Sequence, residues 1–251
     1  MPRTPRSDAP SASALVAANY ARDVFINCPF DKDYRPLRDA VVFAVFACRL
    51  RPRCALESYN GGDSRMEKIV GLIGECQWGI HDLSLADWTK KGPPRFNMPF
   101  EFGLFLGAYR FGNVRQQRKS CIVFVRTKLR SHRSISDIAG HDPVAHANKP
   151  HQIIGEVRDW LNAGLQQLSA EAGGPVPPPR LPDGAMIAAQ FDAFQRDLPR
   201  ICNRLELKKA KLTFTDYCEA VREWIQEAEA TQPRFWSKVP RKAATGSRAK
   251  H

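Results

Sequence analysis

Asp23-Val-Phe-Ile-Asn-Cys-Pro-Phe30 is the stretch on which the fold turns. It is a short apolar run cut off by Pro29, and such a run reads as a buried strand. Pro36 then opens a helix over Leu37–Leu50, in which Leu37, Val41, Ala44, Val45 and Cys48 recur at helical spacing. The same alternation continues. Arg53–Glu57 reads as a second strand, ending in the turn signal Asn60-Gly-Gly-Asp63. Ser64 with Glu67 forms a capping box, and Met66, Ile69, Val70, Leu72 and Ile73 make the apolar face of the helix behind it. Trp78–Leu83 is the third strand and Ser120–Val125 the fourth, with a polar connection and another helix between them. Apolar strands alternating with helices specify a parallel sheet covered on both faces.

In such a sheet ligands bind beyond the carboxyl ends of the strands. The loops that start at Asn27, Glu57, Asp82 and Arg126 are therefore expected to share one rim, and a site combining Asn27, Asp31, Asp82 and Glu101 follows from topology. Glu101 lies in Arg95-Phe-Asn-Met-Pro-Phe-Glu-Phe-Gly-Leu-Phe-Leu-Gly-Ala-Tyr109. Pro99 suits a first helical turn, Gly112 is placed to stop the helix, and apolar residues on more than one side predict a buried helix. A carboxylate there costs several kcal/mol to desolvate, roughly, unless it faces a cleft or a partner. The bland alternative pairs Glu101 with an arginine such as Arg95 or points it to water.

The chain has 251 residues, 43% of them hydrophobic, which suffices for a substantial core. Its seven cysteines are odd in number and form no Cys-x-x-Cys pair, so the reading is reduced thiols, a cytoplasmic location and no zinc site. Residues 1–21 read as a flexible N-terminal tail without an export signal, and no run reaches the length of a membrane span. Half of the formal charge of +12 sits in residues 233–251, a basic tail with six cations and no acid. Nonspecific attraction to nucleic acid is one use of such a tail, and a solvated tail is the simpler one. A second basic cluster, Arg126, Lys128, Arg130 and Arg133, follows the fourth strand.

Past that strand, 129–150 is loop-rich. Its His141-Asp142 pair with His146 invites a metal reading, but no ligand pair has helical spacing, so no metal is assigned. An amphipathic helix covers Gln152–Leu168, and residues 22–168 are expected to form the α/β domain. Residues 169–184 are a proline-rich connector, and 185–232 a helical appendage that packs on the sheet domain or on another subunit of a homo-oligomer.

Val24-Phe-Ile-Asn-Cys-Pro-Phe-Asp31 resembles the first strand and loop of the nucleoside 2-deoxyribosyltransferases, and equally the opening strand of Toll/interleukin receptor (TIR) domains. Phe100-Glu-Phe-Gly-Leu-Phe-Leu-Gly-Ala108 is similar to the deoxyribosyltransferase helix that carries the nucleophilic glutamate. The Cys-Pro-Phe-Asp, His-Asp-Leu-Ser and Asn-Met-Pro-Phe-Glu signatures also resemble a broader bacterial group associated with antiphage defence. The resemblance covers about half the chain, Asp23–Thr127. It implies a flavodoxin-like sheet and cleavage of an N-glycosidic bond in NAD or a related nucleotide or nucleoside. On that reading Glu101 acts at the anomeric carbon, and Asp82 binds a ribose hydroxyl or orients Glu101. Asn27 and Asn97 hydrogen-bond base or sugar, Tyr34 stacks on a base as Trp88 could, and Phe30 and Asp31 line the pocket. Arg65, Arg95 or Arg126 hold phosphates. No cofactor beyond the nucleotide itself is implied. The stretch Pro94-Arg-Phe-Asn-Met-Pro stands where the deoxyribosyltransferases carry Asp-x-Gly-Thr. The alternative is a nucleotide sensor or assembly scaffold without turnover.

Overall fold

The computed structural model describes residues 12–57, 62, 64–86, 93–127, 140–171, 173 and 180–231. Seven helices and five strands follow one another among them: α1 (Ala12–Arg22), β1 (Asp23–Asn27), α2 (Arg35–Ala47), β2 (Arg51–Arg53), α3 (Arg65–Glu75), β3 (Trp78–Asp82), α4 (Asn97–Phe111), β4 (Ser120–Val125), β5 (Val144–Ala145), α5 (Pro150–Glu171), α6 (Gly184–Arg204) and α7 (Phe214–Thr231).

All strand pairs are parallel and the sheet order is β2-β1-β3-β4-β5. That is the flavodoxin-like order, in which the direction of strand addition reverses between β1 and β3 and leaves a crevice at their carboxyl ends. Strand alternation separates two faces. Val24, Ile26, Trp78, Ile80, Ile122 and Phe124 share the core with α2 and α5. Phe25 packs with α3 and Phe105, while Val123 and Val125 pack with Met98 and Phe102 of α4. Gly79 lets α4 approach β3 closely, since a Cβ there would meet the Phe105 ring at 2.7 Å.

Several expectations change. The second strand is Arg51-Pro52-Arg53 rather than Arg53–Glu57, and it is not apolar, because it is the sheet edge, where proline and a charged side chain are tolerated. A short strand, β5, lies inside the segment read as loop. The expected N-terminal tail is helical from Ala12, and its end is fixed: Tyr20 is buried with its hydroxyl donating to Arg115 O, and Trp78 Nε1 donates to Ala21 O. Helix α4 is buried along one side only. Phe100 and Phe111 face outward, because the sheet covers just one face of a helix in an outer layer.

Helices α6 and α7 pack on the sheet domain as a second layer over α2 and α5, within the same hydrophobic core. Phe43 of α2 stacks on Phe194 at 5.4 Å and meets Phe191 and Trp224 at 5.5 and 5.8 Å. The cause is visible in α2, whose Ala40-Val-Val-Phe-Ala-Val45 run is apolar on every side and needs cover beyond the sheet. No described helix is long and apolar enough to cross a membrane. Trp88, Lys128, Arg130, Arg133, most of the proline-rich connector and the basic tail lie outside the described residues.

Candidate functional site

The predicted residues gather at the carboxyl rim, but in two groups on opposite faces of the sheet. Glu101 belongs to the α4 face. Helix α4 is anchored there by Asn27 at the end of β1, whose Nδ2 donates to Met98 O at 2.8 Å and lies 3.1 Å from His81 Nδ1. Asn27 is 2% exposed, so it holds the first turn of α4 rather than presenting itself to a ligand. His81 is fully buried against Phe25, Phe102 and Phe105, and burial pulls its pKa down to about 3, which keeps the ring neutral.

This anchoring leaves Glu101 nearly buried with little to compensate it. Its closest cation among the described residues is Arg65, with Nη2 4.0 Å from Oε1, and that guanidinium is mostly in solvent. Desolvation raises the carboxyl pKa to about 6, against a smaller opposing pull from Arg65. At pH 7 the group is mostly ionised. Arg95 does not pair with Glu101. It forms a bidentate pair with Asp31 at 2.7 and 2.8 Å, tying the segment before α4 to the loop after β1. Asn97 is exposed at the start of α4.

Asp82 belongs to the other face and is 1% exposed. Tyr34 donates its hydroxyl to Oδ2 at 2.5 Å, His146 Nε2 lies 3.0 Å from the same oxygen, and Ser84 N donates to Oδ1 at 2.8 Å. Because Asn148 N donates to His146 Nδ1 at 3.0 Å, the ring proton sits on Nε2, facing Asp82 and Ser84 Oγ. Tyr34 is held protonated well beyond its ordinary range, chiefly by burial and next by the Asp82 charge. The network joins the loop after β1, the end of β3 and the residue after β5. It leaves Asp82 little capacity to bind a ribose hydroxyl and points it away from Glu101. Tyr34, buried in the same network, does not present a free face for stacking.

Phe30 is half-buried against the α2-side core, and Arg126 is exposed beside Tyr34, whose phenol it influences electrostatically. The sequence names Ser84 only within the His-Asp-Leu-Ser signature and His146 only as part of a metal reading, whereas the two meet each other and Asp82 in this network. Ala147 and Asn148 directly after His146 have φ of 50° and 57°, left-handed values that an alanine rarely adopts. Cys28, next to the rim, has its thiol pKa pushed up by burial and is no nucleophile. Among the described residues no cluster of His, Cys, Asp or Glu could hold a metal ion. Searches of family models, of curated proteins and of solved structures find no match to the chain.

Proposed function

We propose that the protein cleaves the N-glycosidic bond of NAD or a closely related nucleotide, with Glu101 as the reacting carboxylate, on a TIR- or deoxyribosyltransferase-like scaffold. The observation that carries this reading is the inequality of the two rim carboxylates: among the described residues Glu101 has no partner at hydrogen-bond range, and Asp82 is locked by three donors. A neutral nucleoside leaves best when an acid protonates its base, which calls for a second free acid. A nicotinamide ribosyl bond needs none. There the C1′–N bond breaks with its electron pair neutralising the pyridinium nitrogen, and the base departs uncharged.

Glu101 in its ionised form then offsets the positive charge at C1′, or bonds to it and is displaced again as a carboxylate, when water adds its oxygen to C1′ and releases a proton. Arg65 and Arg126, which have no carboxylate within 3.5 Å among the described residues, supply charge for the pyrophosphate. Free base measured by chromatography after incubation with NAD, NADP and a nucleoside panel tests the reading. Wild-type protein is expected to release nicotinamide, and Glu101→Gln to release none. Ligand binding by both proteins with no base from either would instead favour a nucleotide sensor.

A further inference from the structure

A second cleft, of about 780 Å³, runs along the β2 edge between α2 and α7, and it contains none of the candidate site residues. Arg22, Arg49, Arg51, Arg53 and Arg222 line it. Against them stand Glu57 and Glu229 in the lining and the buried Asp23 beneath. Arg53 is fully committed, to Asp23 at 2.7 Å and to Glu57 and Glu75. Arg51 gives Nε and Nη2 to Asp23 while its side chain is 45% exposed, so its Nη1 remains for a ligand. Arg22 has no carboxylate partner among the described residues, and Arg222 donates only Nε, to Cys218 O at 3.3 Å. The cleft is net positive, with guanidinium donors left over on both walls.

The floor is apolar, formed by Phe46, Phe214 and Ile225. At the mouth Arg49 takes the left-handed position that ends α2, with φ of 65°, where Leu50 N donates to Val45 O and glycine is the usual occupant. The Arg49 guanidinium pairs with Glu229 Oε1 at 2.7 Å, so these two charges of the lining offset one another and the surplus is carried by Arg22, Arg51 and Arg222.

We propose that this cleft binds a small phosphate-bearing ligand with a flat apolar body, of the nucleoside diphosphate class. The phosphates take the free donors of Arg22, Arg51 and Arg222, and the body lies on Phe46, Phe214 and Ile225. Its volume is in the range of small-molecule sites, and guanidinium groups match phosphate oxygens two at a time. The site is separate from the rim and stands whether or not Glu101 cleaves anything. Calorimetric titration of the full chain with ADP, pyrophosphate and adenosine tests it. ADP is expected to bind, more weakly as salt rises, and adenosine to bind at least tenfold more weakly. Arg22→Ala/Arg222→Ala, two solvent-facing changes, is expected to weaken ADP at this cleft at least tenfold, whereas Arg65→Ala/Arg126→Ala removes only the ADP held at the rim and leaves the cleft event in place. Hydrogen exchange with ADP present should slow in 49–53 and 214–229. Adenosine binding as tightly as ADP, loss in the rim variant alone, protection confined to the rim, or no ADP binding at millimolar concentration would each overturn the assignment.

Discussion

Glu101 and Asp82 end adjacent layers of the same rim, both almost out of solvent, yet their surroundings are opposite. Asp82 receives a phenol, a backbone amide and an imidazole N–H, so its charge is compensated and its geometry fixed. Among the described residues Glu101 faces one distant guanidinium, too weak to offset the desolvation that raises its carboxyl pKa to about 6. A compensated buried carboxylate builds structure. An uncompensated one stores unfavourable free energy that a cationic transition state can release, and this is why reactivity is assigned to Glu101 alone.

The contrast breaks most severely at Asp82. Asp82→Asn sets a donor against at least one of three donors, and it is expected to lower stability by about 3 kcal/mol in urea denaturation. A loss below 1 kcal/mol would mean that the network does not hold the rim. Tyr34→Phe removes one charge-assisted bond and should cost about 2 kcal/mol by the same measurement.

Glu101→Gln should act in the reverse sense, raising stability at pH 7 by roughly 1–2 kcal/mol while abolishing base release. The sign follows from linkage. A carboxyl whose folded pKa lies near 6, above the ordinary 4.5, binds its proton more tightly in the folded protein. Its penalty is absent below about pH 4.5, grows between 4.5 and 6, and is complete above that. Wild type and Glu101→Gln should therefore converge in stability at pH 4.5 and separate by pH 7, and wild-type base release should fall as pH drops through about 6. A constant difference across that range would remove Glu101 from its buried setting. The smallest effect expected is at Ala147, where φ is 50°. Ala147→Gly should relieve left-handed strain by about 1 kcal/mol in thermal unfolding and leave base release unchanged if the turn only places His146.

Much of this layout was legible in the sequence. Apolar runs of strand length alternating with 3.6-residue periodicity specify parallel βα units, and the carboxyl-end rule then puts Asn27, Asp82 and Glu101 on one rim without any contact being known. The Ser64–Glu67 capping box was readable because both of its partners lie within four residues, and it is present at the start of α3. Local signals of that kind travel with the chain. The roles of the two carboxylates were not legible, because Tyr34 and Asp82 are 48 residues apart and Ser84 and His146 62 apart, and hydrogen bonds across such spans leave no periodicity behind.

The same reason explains the helices. Composition marked α6 and α7 as amphipathic, but that their apolar stripes close over Phe43 depended on how α2 and α5 sit on the sheet. The sequence by itself determined the alternation of strands and helices from β1 to β4, their parallel order of travel and the presence of an acid at the start of α4, but not α1 or the short β5, which lie in stretches that read as tail and loop. Tertiary structure alone decided which face each rim side chain takes, and so which carboxylate meets donors and which does not. Burial and hydrogen-bond partners are properties of the neighbours that folding brings in, whereas helical and strand periodicity belongs to the chain itself.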